Sequence, residues 1–247
     1  MKKLLLLPVF ISVSLLHAQN DRVNDYNNTN WIQSFNTIGL NKRWSLHIEY
    51  QWRRVNGFRH WQQGLLRTAV NFRLNDVLTV HAGYAFAETY PYGDYPIANN
   101  GAFPEHRLYE QLSLWQPVKE WTFTHRFRIE QRWLRRKING VSGLENDWFF
   151  LHRFRYQFRL QRPLYKKGEQ QLYAAAADEI FIGAGKNLGT NIFDQNRIFL
   201  LAGFRFNKQF SLEAGYFNQT LQQGRRVNDK TIIQRNNGIV LSSFLNL

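Results

Sequence analysis

A chain of 247 residues with no cysteine can hold no disulfide, thiolate metal site, cysteine nucleophile or lipid-modified N-terminal cysteine, and its length suits one all-β domain. It carries 32 lysines and arginines against 18 acids, a formal net charge of +14. The arginines alternate with apolar residues rather than forming basic runs, which argues against nucleic acid as the partner of that charge.

Residues 1–18 read as a cleaved secretory signal: Lys2 and Lys3 lead, Leu4 to Leu16 form the apolar core, and Ala18 ends it. The apolar run is too short to favour a retained membrane helix. Residues 19–30 are rich in Asn and Asp and read as an exposed leader, and residues 31–247 read as the folded domain.

Trp31 to Leu40 is the first predicted strand, and Asn41–Lys42 a tight turn. Arg43 to Val55 follows as a strand of clear period two: Trp44, Leu46, Ile48, Tyr50 and Trp52 oppose Ser45, His47, Glu49, Gln51 and Arg53. Trp44 and Trp52 are separated by roughly 26 Å at about 3.3 Å per residue, close to the apolar band of an outer-membrane barrel. A strand around Trp61 to Leu74 sets Leu66, Val70 and Phe72 against Arg67, Asn71 and Arg73. Val77 to Tyr90 turns Leu78, Val80, Ala82, Tyr84 and Phe86 outward. Residues 91–104 form a Tyr/Pro/Gly/Asn loop long enough to be extracellular. His106 to Trp115 has ambiguous parity, because Glu110 shares a face with Leu108, Leu112 and Leu114.

The clearest pattern is residues 120–162. Trp121, Phe123, Phe127, Ile129 and Trp133 alternate with Thr122, Thr124, Arg126, Arg128, Glu130 and Arg132. On the return, Trp148, Phe150, Phe154, Tyr156 and Phe158 alternate with Arg153, Arg155, Gln157 and Arg159. One face is aromatic and the other rich in arginine, which suits lipid outside and a polar lumen inside. Gln170 to Gly183, Phe193 to Phe206, Gln209 to Leu221 and Ile232 to Leu247 complete the chain. Phe204, Phe206, Phe210, Leu212 and Tyr216 mark outward positions, and Arg197, Arg205 and Glu213 inward ones.

Short turns alternate with longer loops, the rhythm of an antiparallel transmembrane β-barrel. The pattern yields eleven strands, whereas single-chain bacterial barrels have even numbers. The expectation is therefore ten to twelve, with twelve favoured. An internal repeat points the same way: Phe72-Arg73-Leu74-Asn75 with Ala82-Gly83-Tyr84 recurs 132 residues on as Phe204-Arg205-Phe206-Asn207 with Ala214-Gly215-Tyr216. Six strands separate the copies.

The Trp-led first strand, the Arg67 to Tyr84 hairpin, Glu105-His106-Arg107, Arg126-Phe127-Arg128-Ile129-Glu130, Arg153-Phe154-Arg155-Tyr156 and Asn196-Arg197 together resemble the bacterial family DUF 2490, a domain of unknown function. The resemblance spans essentially the whole mature chain. It implies an outer-membrane β-barrel-like fold and carries no catalytic residues.

Candidate lumen arginines are Arg53, Arg67, Arg73, Arg126, Arg128, Arg132, Arg153, Arg155, Arg159, Arg197 and Arg205. Candidate acidic partners are Glu49, Glu130, Asp178, Glu179 and Glu213. They allow two readings, an Arg–Glu ladder that fills a narrow barrel and a basic conduit that attracts anions. Trp44, Trp52, Trp121, Trp133, Trp148 and Phe210 are the expected membrane-interface aromatics. His125 and His152 take outward parity on neighbouring strands, where a barrel-wall lipid enzyme would need a nucleophile and an orienting group beside them. No such group is in view. No metal, nucleotide or cofactor motif occurs. The expected location is the outer membrane of a Gram-negative bacterium. The expected partners are outer-membrane lipid, the barrel-assembly machinery during insertion, and small anionic solutes. The alternatives are the barrel-wall enzyme and a soluble lipocalin-like carrier with its apolar face turned inside.

Overall fold

The computed structural model describes residues 21–97, 101–135, 148–188 and 192–247; the proposed signal lies outside them. Eleven strands are found among the described residues: β1 (Arg22–Gly39), β2 (Trp44–Val55), β3 (His60–Arg73), β4 (Leu78–Thr89), β5 (Phe103–Val118), β6 (Trp121–Arg135), β7 (Trp148–Lys167), β8 (Gln170–Ala184), β9 (Phe193–Arg205), β10 (Phe210–Val227) and β11 (Lys230–Asn246). Each pairs antiparallel with its sequence neighbours. β1 and β11 pair in parallel to close the barrel.

The parallel seam follows from counting. Strand direction reverses at every hairpin, so the first and eleventh strands run the same way. Eleven lies within the expected ten to twelve and one below the favoured number. The seam is bonded at both ends: Thr231 N–H donates to Asp21 O at 2.7 Å, and Leu247 N–H to Thr37 O at 2.8 Å. The supposed leader is a correction. From Arg22 onward it is the first half of β1, and Asp25 and Thr29 on it are buried. Its polar composition misleads because the inward face of this barrel is itself polar.

Five short turns lie at one end of the barrel, and the longer connections lie at the other. Alternation holds along most strands. Tyr50, Phe127, Phe154, Leu200 and Ile239 are outward and largely exposed, while Glu49, Arg128, Arg153 and Arg155 are buried in the lumen. Side chains this apolar are unfavourable against water by about 25 cal/mol per Å², so the outer surface is built for an apolar surrounding. Outward polar groups satisfy one another from mid-strand toward the loop end. Gln131 donates to Glu110 at 3.0 Å, Asn196 to Asp178 at 2.5 Å and Asn218 to Asn237 at 2.6 Å.

Irregularities in register re-aim particular side chains. Arg53 pairs with Gln63 and Arg54 with Trp61, leaving Gln62 as the extra residue. Phe181 pairs with Gln195 and Ile182 with Phe193, leaving Asp194 extra. Both extra residues turn into the lumen. The repeated segments are the β3–β4 and β9–β10 hairpins, which are six strands apart as counted. Their spacing does not require a twelfth strand.

On one side of the lumen an apolar cluster forms from Trp31, Phe217 and Val240, packed against Phe199 and Leu201. The opposite side, from β2 to β8, is charged.

Candidate functional site: an arginine-lined vestibule over an ion-pair ladder

Glu130 on β6 is the hub of the ladder. Arg153 donates to it from Nε at 2.8 Å and from Nη2 at 2.5 Å, and Arg155 donates from Nη1 at 2.6 Å. Arg128 Nη1 lies 3.6 Å away. Glu179 on β8 accepts from Arg155 at 2.7 Å and Arg126 at 2.8 Å. Glu49 on β2 accepts from Arg67 and Gln51 and contacts His47 at 3.3 Å. Toward the turns, Glu213 accepts from Arg159 and from the Tyr173 hydroxyl, the latter at 2.8 Å. Multidentate guanidinium–carboxylate contacts of this kind are the strong form of the interaction, and here they cross strands and tie the wall together.

The structure gathers Arg53, Arg67, Arg126, Arg128, Arg132, Arg153, Arg155, Arg159 and Arg197 in the lumen, as alternation predicts. Two candidates fall elsewhere. Arg73 and Arg205 end β3 and β9 at the turn side and are exposed, because inward parity at a strand terminus leads out of the barrel. Asp178 also departs from the expectation. It faces outward, where it accepts from Asn196, and its neighbour Glu179 takes the lumen position. All six aromatics expected at the interface are on outward positions, with Trp44, Trp121 and Phe210 starting their strands after short turns.

Several charged residues escaped the sequence reading, Asp25 on β1 and Arg225 on β10 among them. Glu105 and Arg107 form a bidentate pair at 2.7 and 2.8 Å on β5, and Arg132 also donates to Glu105. Asp194 accepts from Arg153 at 2.8 Å. Simple alternation turns Asp194 outward, and the bulge brings it in.

Residues 91–97 also correct an expectation. They lie at the loop end, as predicted, but part of the segment folds into the barrel mouth. Tyr92 is buried and receives the Asn236 amide at 3.1 Å. The Tyr95 carbonyl accepts from Gln223 and Gln234, and the Pro96 carbonyl accepts from Arg225 at 3.0 Å.

Beneath this segment is a cavity of about 250 Å³ lined by Arg53, Arg67, Arg107, Arg132, Arg153, Arg155, Arg197 and Arg225, with Glu105 and Asp194 as its carboxylates. Arg67, Arg153 and Arg155 are paired with Glu49, Glu130 and Glu179 of the ladder, and the cationic surplus that remains inside low-dielectric walls favours anions. On the outer wall, His125 Nδ1 is 2.8 Å from the Tyr156 hydroxyl, and no serine hydrogen-bonds to either among the described residues.

A family model described as "Protein of unknown function (DUF2490)" matches residues 28–230. The chain is similar to an uncharacterised protein of Methylorubrum extorquens, 29% identical over 174 residues that cover 70% of this chain and 69% of that one. A solved structure described as "NanC porin structure in rhombohedral crystal form" aligns over 89% of this chain and 98% of its own, with 14% identity and a TM-score of 0.49.

Proposed function

The chain belongs to the DUF2490 family, and from its geometry we propose that it is an outer-membrane β-barrel that admits small anions from its long-loop end through a narrow, arginine-lined lumen. Its outward aromatic and aliphatic face would meet outer-membrane lipid, where the barrel-assembly machinery would have inserted it. The observation that carries the anion preference is the vestibule lining, where eight arginines outnumber its two carboxylates together with Glu49, Glu130 and Glu179, which pair Arg67, Arg153 and Arg155 from below. The Glu49, Glu130 and Glu179 network below it is built on fully buried side chains, which suits a slow path for small solutes. The outward His125–Tyr156 pair gives less support to a barrel-wall enzyme, because no third group among the described residues hydrogen-bonds the histidine to orient it as a base.

The test is recording from the purified protein in planar bilayers under asymmetric KCl. The expected result is a small conductance whose reversal potential has the sign of chloride preference. A silent protein would leave the ladder as a purely structural filling, and a cation-selective one would contradict the proposal.

A further inference from the structure

Arg53 on β2 and Arg197 on β9 stand apart from the ladder. Both are more than nine-tenths buried, at 5% and 8% exposure, and neither pairs with a carboxylate among the described residues. Arg53 donates from Nε to Gln51 Oε1 at 3.0 Å and from Nη2 to the same oxygen. Arg197 donates from Nε to Gln195 Oε1 at 3.2 Å. Each glutamine sits two residues before its arginine on the same strand face. No acceptor among the described residues takes the other guanidinium N–H groups, and both side chains line the vestibule.

The two cations share one aromatic ring. The guanidinium carbons of Arg53 and Arg197 lie 4.1 and 5.1 Å from the Trp31 ring centroid. The indole is fixed in turn, because its Nε1–H donates to Gln62 Oε1 at 2.8 Å. Cation–π contact offsets part of the desolvation of each charge, but it does not relieve the repulsion between them. Buried like charges without a counter-ion are costly, and planar guanidinium forks match the oxygens of carboxylate, sulfate and phosphate. A cavity of about 250 Å³ accommodates a small solute.

From this geometry we infer that Arg53 and Arg197, held on Trp31 by Gln51 and Gln195, form a binding site for the oxyanion group of a small solute. The site rests on the reading of the vestibule as an anion port, and it deepens that reading. Equilibrium binding requires no conduction, so the two are tested separately.

The experiment is isothermal titration of the detergent-folded protein with sodium sulfate at constant ionic strength in sodium chloride. The expected result is saturable 1:1 sulfate binding. It weakens at least tenfold in Arg53→Gln and in Arg197→Gln and is unchanged in Arg73→Gln at the exposed turn end. Arg53→Lys keeps the charge and loses the fork, so it guards against a variant that does not fold, and it too binds sulfate more weakly. The inference is overturned if the parent shows no saturable binding, or if Arg53→Lys binds as tightly as the parent. Anion-selective conductance without sulfate binding would remove this site and leave the port. Sulfate binding in a barrel that does not conduct would keep the site and remove the port.

Discussion

Asp25 on β1 and Gln234 on β11 are register partners across the parallel seam, and the Gln234 amide donates to the Asp25 carboxylate at 2.9 Å. The same carboxylate accepts the backbone N–H groups of Asp94 and Tyr95 at 3.3 and 3.2 Å. One buried acid therefore joins the two ends of the barrel sheet and anchors the segment folded into its mouth. Gly93 makes the approach possible: its φ is +76°, and a Cβ there would lie 2.5 Å from Asp25 Oδ2. Asp25→Ala strands these donors and is expected to cost about 1–3 kcal/mol, read from urea unfolding in vesicles. It should also raise single-channel conductance as the segment loosens, and Gly93→Ala should raise it too. Conductance no higher than the parent's in both variants would show that the segment does not narrow the path.

The ladder makes a graded prediction. Glu130 is contacted by Arg128, Arg153 and Arg155, whereas Arg128 reaches Glu130 only at 3.6 Å and otherwise donates to Gln111. Glu130→Gln removes the hub charge, takes one of two carboxylates from Arg153 and Arg155 and leaves buried Arg128 with none among the described residues, at about 3–5 kcal/mol. Arg128→Gln should cost clearly less. Equal losses in equilibrium unfolding would mean the contacts do not form a hub.

The outer face makes another. Phe127→Arg or Phe154→Arg turns a charge toward lipid, at about 2–4 kcal/mol near the midplane. Arg128→Gln changes only the lumen and should be milder. If all three destabilise the lipid-folded protein equally, the two faces are not distinct.

Selectivity should follow the unpaired charges. Arg126 is held by Glu179, while Arg53 and Arg197 meet no carboxylate among the described residues. The double variant Arg53→Gln/Arg197→Gln should shift the reversal potential toward zero much further than Arg126→Gln does. The opposite ranking would place selectivity in the ladder rather than the vestibule.

The barrel and its facing were legible wherever a strand alternates strictly. On β2, β6 and β7 the aromatic and charged residues fall where period two puts them. β5 was ambiguous because Glu110 faces outward, yet its parity was available: the two-residue turn after Val118 pairs Val118 with Trp121 and so sets Arg107 opposite Arg132. Asp194 was not available by that route, since a bulge cancels alternation locally. The infolded mouth was hidden for another reason. Its hydrogen bonds run from backbone groups of residues 94–96 to Asp25, Gln223, Arg225 and Gln234, contacts that span up to 139 positions. No local pattern encodes them.

The central claim is that the aromatic face of this barrel meets lipid and the arginine face encloses the lumen. Because the chain has no cysteine, single cysteines at positions 123, 124, 126, 127 and 129 on β6 can each carry a fluorophore in the vesicle-inserted protein. Quenching by nitroxide-labelled lipid measures the facing directly. The account predicts strong quenching at 123, 127 and 129 and weak quenching at 124 and 126. The reverse parity, or uniform quenching along the strand, would contradict it.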